Sequence, residues 1–396
     1  MKKAIVFISL MALFGACQGA TQSADIVTGA ANTQAYLHLL EGKRVGVLTN
    51  HTALIGTTHL VDSLLSLGVN VTMIFAPEHG FRGKADAGDA INNDVDAQTG
   101  IPIISVYGGK KYRPADSLMQ QLDVAVFDIQ DVGLRFYTYL SSLYYFMEAC
   151  ARNQVPLIVL DRPNPNGHIV SGPILDTTYR SFVGIVPVPV VHGMTLGEMA
   201  GMINRKHWLP NAQEVQLTVA PCLNYTHHSH YTLPVKPSPN LPNNRAIYLY
   251  PSLCPFEATV ISLGRGTDFP FQVYGHPSMD SSDFTFTPKP VDGAMNPPQK
   301  GNLCYGVDLR TQPTNEEIWE QGFSLQYVID AYTQWYRNTG LDKAFFLSNF
   351  FEKLVGVSYI RPMILEGKTA AEIAACWQDE LEAYKLERKQ YIIYPE

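Results

Sequence analysis

The sequence predicts an α/β protein, with a doubly wound, mainly parallel sheet followed by a smaller α+β region. Three observations carry this expectation. Short, continuous apolar runs recur at residues 44–49, 69–75, 101–106, 124–129 and 155–160, the pattern of strands buried on both faces. Helical patterns alternate with them, as a parallel sheet requires of its crossovers. Polar residues also collect just past one end of these runs and not the other.

Taken in order, the strand at 44–49 leads to a helix over 58–67 with Leu60, Leu64 and Leu67 on one face. Between the strands at 124–129 and 155–160, residues 139–151 are helical by pattern. Residues 188–191 start a further strand–helix unit whose helix covers 195–204. Four prolines between 231 and 242 mark a hinge or boundary, so residues 24–235 are expected as one domain and 236–396 as the second. The second carries the loop Gly264-Arg265-Gly266 and a proline-rich tract at 286–298. Near its end, Thr369 and Glu372 form a capping-box signal, and Ile373, Trp377, Leu381 and Tyr384 an apolar stripe that reads as core packing.

Composition bounds the function. A chain of 396 residues can build two substantial cores. Its net charge of −7 leaves no basic surplus to neutralise phosphates, so nucleic acid is not an expected partner. Lys2 and Lys3 followed by the apolar stretch 4–14 read as a signal peptide, too short to span a bilayer. Residues 14–17, Phe-Gly-Ala-Cys, resemble a lipobox in which Cys17 is lipidated. The expectation is an exported protein, periplasmic or membrane-anchored through that lipid. The five remaining cysteines are odd in number and widely spaced, which argues against a disulfide framework and against a cysteine zinc site.

In open parallel sheets, ligands bind beyond the carboxyl ends of the strands. Those ends supply Asn50 with His51, Glu78 with His79, Tyr107, Asp128 with Gln130 and Asp131, and Asp161 with Arg162. No GxGxxG follows the first strand, and there is no P-loop and no GxSxG, so no cofactor is called for. Carboxylates, arginines, tyrosines and histidines suit acid–base work on a hydroxyl-rich substrate. Each also has a plainer reading. Glu78 could pair with Arg82, Asp128 and Asp131 could anchor loops, residues 161–165 could be a rigid turn, and His192 a satisfied core histidine. His227, His228 and His230 match no zinc spacing and read as a solvated loop.

Several strings together resemble a family of exo-acting β-N-acetylmuramidases. They are GKRVG at 42–46 with Thr49-Asn50, PEHG at 77–80, FDIQDVGLRFYTY at 127–139 and LDRPNPNG at 160–167. PVVHGMTLGEMA at 189–200, PSPNLP at 237–242 and GRGTDFPF at 264–271 complete the likeness, which covers nearly the whole mature chain. Family members often carry glutamate just before GRGT, where this chain has Leu263, and asparagine where it has Val260.

The resemblance implies a Rossmann-like catalytic domain, an auxiliary second domain and a cleft between them. It implies hydrolytic release of terminal N-acetylmuramic acid from the non-reducing end of peptidoglycan fragments, in cell-wall turnover. Glycoside hydrolysis needs an acid at the leaving oxygen and usually a second carboxylate, or an acetamido group that a carboxylate orients. Glu78 is the expected acid, at a strand exit where burial suits a group that must stay protonated. Asp128 or Asp131 is the expected second carboxylate. Among Arg82, Arg135, Arg162 and Arg265, Arg135 is first choice for the lactyl carboxylate, because guanidinium binds carboxylate with two bonds. Asn50, His79, His192, Asn240, Tyr137 and Tyr139 would contact the sugar. Two rival readings remain: a non-catalytic sugar- or muropeptide-binding lipoprotein, and a metal-dependent hydrolase built on His79, Asp128 and His192.

Overall fold

Seven strands form the central sheet of the computed structural model, which describes residues 25–81, 92–108 and 112–396. Across the sheet they run Leu217–Ala220, Leu157–Leu160, Val124–Asp128, Val45–Thr49, Val71–Ala76, Pro102–Ser105 and Asp94–Val95. All neighbours are parallel except the last pair. The first strand sits centrally. The chain builds outward on one side through Val71–Ala76, then crosses to the other through Val124–Asp128. That reversal is the switch point where doubly wound sheets open a crevice.

The period-two alternation of side chains explains why both faces are apolar. In Val124–Asp128, Val124 and Val126 enter one core while Ala125 and Phe127 enter the other. Ile158 and Leu160 follow the first pattern, Leu157 and Val159 the second. The first core is closed by the helix Leu60–Ser66, the second by Tyr139–Asn153 and Leu196–Arg205. The last of these starts with a capping box, the Thr195 hydroxyl taking the Glu198 N–H while the Glu198 carboxylate takes that of Thr195.

The second core continues without a break into the C-terminal part, through Leu253, Trp319, Ile373 and Trp377. That part has a three-stranded antiparallel sheet, Val273–His276, Cys304–Asp308 and Thr285–Phe286, and a set of short helices. The capping box at Thr369 and Glu372 is formed, and the apolar stripe beyond it is buried across two successive helices, Ala370–Ala375 and Gln378–Arg388.

Two expectations are corrected. The segment near 188–191 does not extend the sheet: Pro189–Val191 pairs antiparallel with Ser171–Ile174 as a separate ribbon. The seventh strand is instead Leu217–Ala220, reached through the helix Leu196–Arg205. Nor is residue 227 solvated. Its imidazole is buried, with Nε2 3.0 Å from the Glu198 carboxylate, which also accepts the Ile393 N–H and holds the chain's end in place. All five described cysteines are free, and no described helix is long and apolar enough to cross a membrane.

Candidate active site

A cavity of about 580 Å³ opens beside the carboxyl end of the strand Val71–Ala76. The chain turns there through Pro77–Gly80, closed by the Gly80 N–H on the Pro77 carbonyl, with His79 at φ +66°. A non-glycine residue held in that region is costly and is typical of functional turns. The turn delivers Glu78 and His79 to the cavity wall. Tyr137, Thr138 and Tyr139 come from the start of the long helix, and Ser238, Asn240 and Leu241 from the proline-rich segment. Arg265, Phe271 and Glu257 come from the C-terminal part.

Glu78 is buried and held by two hydroxyls. The Tyr107 hydroxyl donates to Oε1 at 2.9 Å, and the Thr138 hydroxyl donates to Oε2 in a short contact. A hydroxyl can turn from donor to acceptor, so this pair can support the carboxyl group either ionised or protonated. That is what an acid which gives up and regains a proton requires.

Also on the cavity wall, Glu257 accepts a short ion pair from Arg265. The Arg265 guanidinium also lies 5.0 Å from the Phe271 ring centroid. Among the described residues Glu257 is the second carboxylate on the cavity wall, and the sequence reading missed it. It leaves a short turn, Cys254–Ala258, rather than a strand end, so the strand-exit argument could not reach it. The FE pair seven residues ahead of GRG was the available signal.

Several expected residues lie elsewhere. Asp128 is fully buried and bound by Arg162, whose Nε and Nη2 donate to its two oxygens at 2.5 and 2.9 Å. With both oxygens committed to that bidentate pair, Asp128 does not line the cavity and is a structural anchor, as is Arg162. Arg135, first choice for the lactyl group, is also fully buried. Its guanidinium donates to the carbonyls of Pro173, Val188 and Leu354 at 2.8–2.9 Å, tying the ribbon to the C-terminal part. Burial without a carboxylate partner pushes it down to about 9.

His192 is likewise enclosed, its Nδ1 accepting the Met194 N–H, and burial pushes it down to about 3. It is a neutral core histidine. Asn50 sits behind the wall, donating to the Tyr139 hydroxyl at 2.8 Å and accepting from Thr52. Asp131 lies outside the lining too, with Oδ2 taking the Val132 and Gly133 N–H groups and Oδ1 buried without a hydrogen-bond partner. Desolvation raises it to about 7. Asp161 caps the neighbouring helix, its oxygens accepting from Thr195, Gly197 and Tyr394. Residues 161–166 thus knit loops together: Asn164 donates to Met194 and Asn166 to Val132. Gly133 has to be glycine here, since φ is +78° and a Cβ would meet the Asn164 side chain at 2.1 Å.

Of the expected site, the cavity therefore gathers Glu78, His79, Tyr137, Tyr139, Asn240 and Arg265. Arg82 and Cys17 lie outside the described residues. No group of three histidine, cysteine, aspartate or glutamate side chains among the described residues could hold a metal ion. The proposed trio of His79, Asp128 and His192 is not assembled: Asp128 is taken by Arg162 and His192 is enclosed. A carboxyl held by two hydroxyls, a second carboxylate paired with arginine, and buried tyrosines can carry acid–base chemistry on a sugar.

Comparison with known proteins shows the family. The N-terminal model of the exo-β-N-acetylmuramidase NamZ matches residues 45–245, and its C-terminal model residues 248–394. The peptidoglycan β-N-acetylmuramidase NamZ of Bacillus subtilis (strain 168) is 34% identical over the full length of both chains. A crystallised DUF1343 family protein from Bacteroides fragilis is 50% identical, with a TM-score of 0.87 over 94% of this chain and 100% of its own. A second from the same organism, 24% identical with a TM-score of 0.78, covers 93% of this chain and 99% of its own and shares the fold. The chain belongs to the NamZ exo-β-N-acetylmuramidase family.

Proposed function

We propose that this protein is an exo-acting glycosidase that releases terminal β-linked N-acetylmuramic acid from the non-reducing end of peptidoglycan fragments. The observation that carries the reading is Glu78, buried in the cavity wall between two hydroxyls, in a chamber whose described lining also holds the ion pair of Glu257 with Arg265. Glu78 protonates the leaving oxygen. Glu257 is the second carboxylate, acting on water or orienting the substrate's acetamido group. Arg265 takes over the lactyl role first given to Arg135, because it is the described arginine on the cavity wall. Full-length kinship to a named peptidoglycan β-N-acetylmuramidase supports the substrate class.

Membership of a family described as exo-acting supports removal of single terminal sugars, and cell-wall turnover is the setting we infer. Export rests on the leader pattern from Lys2 to Cys17. The test is incubation with para-nitrophenyl β-N-acetylmuramide beside the matching glucosaminide, then with a peptidoglycan oligosaccharide. Nitrophenol from the muramide alone, and free N-acetylmuramic acid as the first product of the oligosaccharide, are the expected results. Binding without turnover would favour a receptor, and larger internal fragments would contradict exo action.

A further inference from the structure

Two groups of packed rings line the cavity. The inner group is buried and packed edge to face: Tyr137 on Tyr139 at 5.0 Å, Tyr137 on Tyr250 at 6.0 Å, and Tyr250 on Phe271 at 4.9 Å. Arg265 belongs to it through Phe271. The outer group is half-buried: Tyr112 stacks on Phe182 at 4.1 Å and 24°, and Tyr107 leans on Phe182 at 5.4 Å. Glu78 stands where they meet. One oxygen takes the hydroxyl of Tyr107, from the outer group, and the other that of Thr138, which lies between Tyr137 and Tyr139.

A general acid must sit at the glycosidic oxygen, so the two sugars that oxygen joins lie on opposite sides of Glu78. The buried group, with Arg265 against Phe271, suits the acidic terminal sugar. Among the described lining residues the half-buried group brings no arginine or lysine but offers aromatic faces, which pack on the apolar C–H face of a pyranose.

We propose that Tyr112 and Phe182 form the platform for the leaving-group sugar, an N-acetylhexosamine, and make the enzyme prefer a sugar over a compact leaving group. This rests on the glycosidase reading above. Tyr107 couples the platform to the acid, so a seated leaving sugar and the proton donor share one ring cluster.

The experiment compares kcat/KM for the disaccharide of N-acetylmuramic acid β-1,4-linked to N-acetylglucosamine with that for methyl β-N-acetylmuramide. Tyr112→Ala and Phe182→Ala should each lower the disaccharide-to-methyl ratio about tenfold, the loss of roughly one aromatic contact, chiefly through KM. Tyr112→Phe, which keeps the ring, should restore most of the ratio, whereas Tyr112→Leu should not. Equal losses on both substrates would mean that the rings only brace Tyr107 and Glu78, and no loss on either that no sugar rests there. Both overturn the proposal while leaving the glycosidase reading intact. A wild-type protein that cleaves neither substrate would overturn that reading itself.

Discussion

Replacing Arg135 by alanine should cost stability and leave sugar specificity alone. Its guanidinium supplies three hydrogen bonds to the carbonyls of Pro173, Val188 and Leu354, inside a region with no exposed surface. The Val188 oxygen also receives the Leu175 N–H at 3.2 Å, so the loss falls mainly on the other two. An orphaned buried carbonyl costs about 1–3 kcal/mol, and the vacated volume adds a cavity term, for a total of about 3–5 kcal/mol. The assay is urea denaturation, with the midpoint shift read at constant m, beside the muramide-to-glucosaminide ratio of kcat/KM in the folded fraction. Gly356→Ala should mimic the defect from the other side, because φ is +83° and its Cβ would meet Arg135 Nη2 at 2.5 Å. If Arg135→Ala keeps wild-type stability but loses preference for the muramide, the guanidinium reaches substrate and the structural assignment fails.

The remaining predictions concern three other charged residues. Arg265→Ala should abolish most of the preference for muramide over glucosaminide, a loss of about 2–5 kcal/mol for a charge-assisted pair, and lysine should recover only part of it. Unchanged discrimination would leave lactyl recognition to other groups. Arg162→Met strands the Asp128 charge in the core and should destabilise by about 3–5 kcal/mol in urea, while adding Asp128→Asn should return part of that. Asp131→Asn probes a raised group. Between the unfolded value of 3.8 and the folded value of about 7, the native state holds the proton that the unfolded state has lost, so wild-type stability falls as pH rises. The variant should therefore gain on wild type across that window, at up to about 1.4 kcal/mol per pH unit, and no further above it. A difference that does not vary with pH would show that Asp131 is not desolvated in this way.

The central sheet was legible because strands covered on both faces must be continuously apolar, and their polar successors stand out. Glu78 was found by that logic, at the exit of the run ending in Phe75 and Ala76. The edge strand Leu217–Ala220 was missed because three of its four residues are only partly buried, which blurs the signal. The ribbon strand Ser171–Ile174 contains glycine and proline and looks like a loop. Arg135 misled for a different reason. Two residues from Tyr137 in sequence, it joins the ribbon by its own N–H on the Val190 carbonyl, and its side chain enters the core, not the cavity. Burial of a cation against backbone carbonyls leaves no pattern in composition or spacing. Glu257 and the Glu198–His227 pair depend on contacts between distant segments, which periodicity cannot show.

The most direct test of the account is Glu78→Gln, assayed on the natural disaccharide and on the para-nitrophenyl muramide. The amide keeps the shape and can still bond Tyr107 and Thr138, but it has no proton to give to the leaving oxygen. Disaccharide turnover should fall by roughly 10²–10⁴-fold with substrate binding retained. The nitrophenyl muramide, whose leaving group needs little protonation, should lose much less. Equal, modest losses on the two substrates would contradict the assignment of Glu78 as the acid.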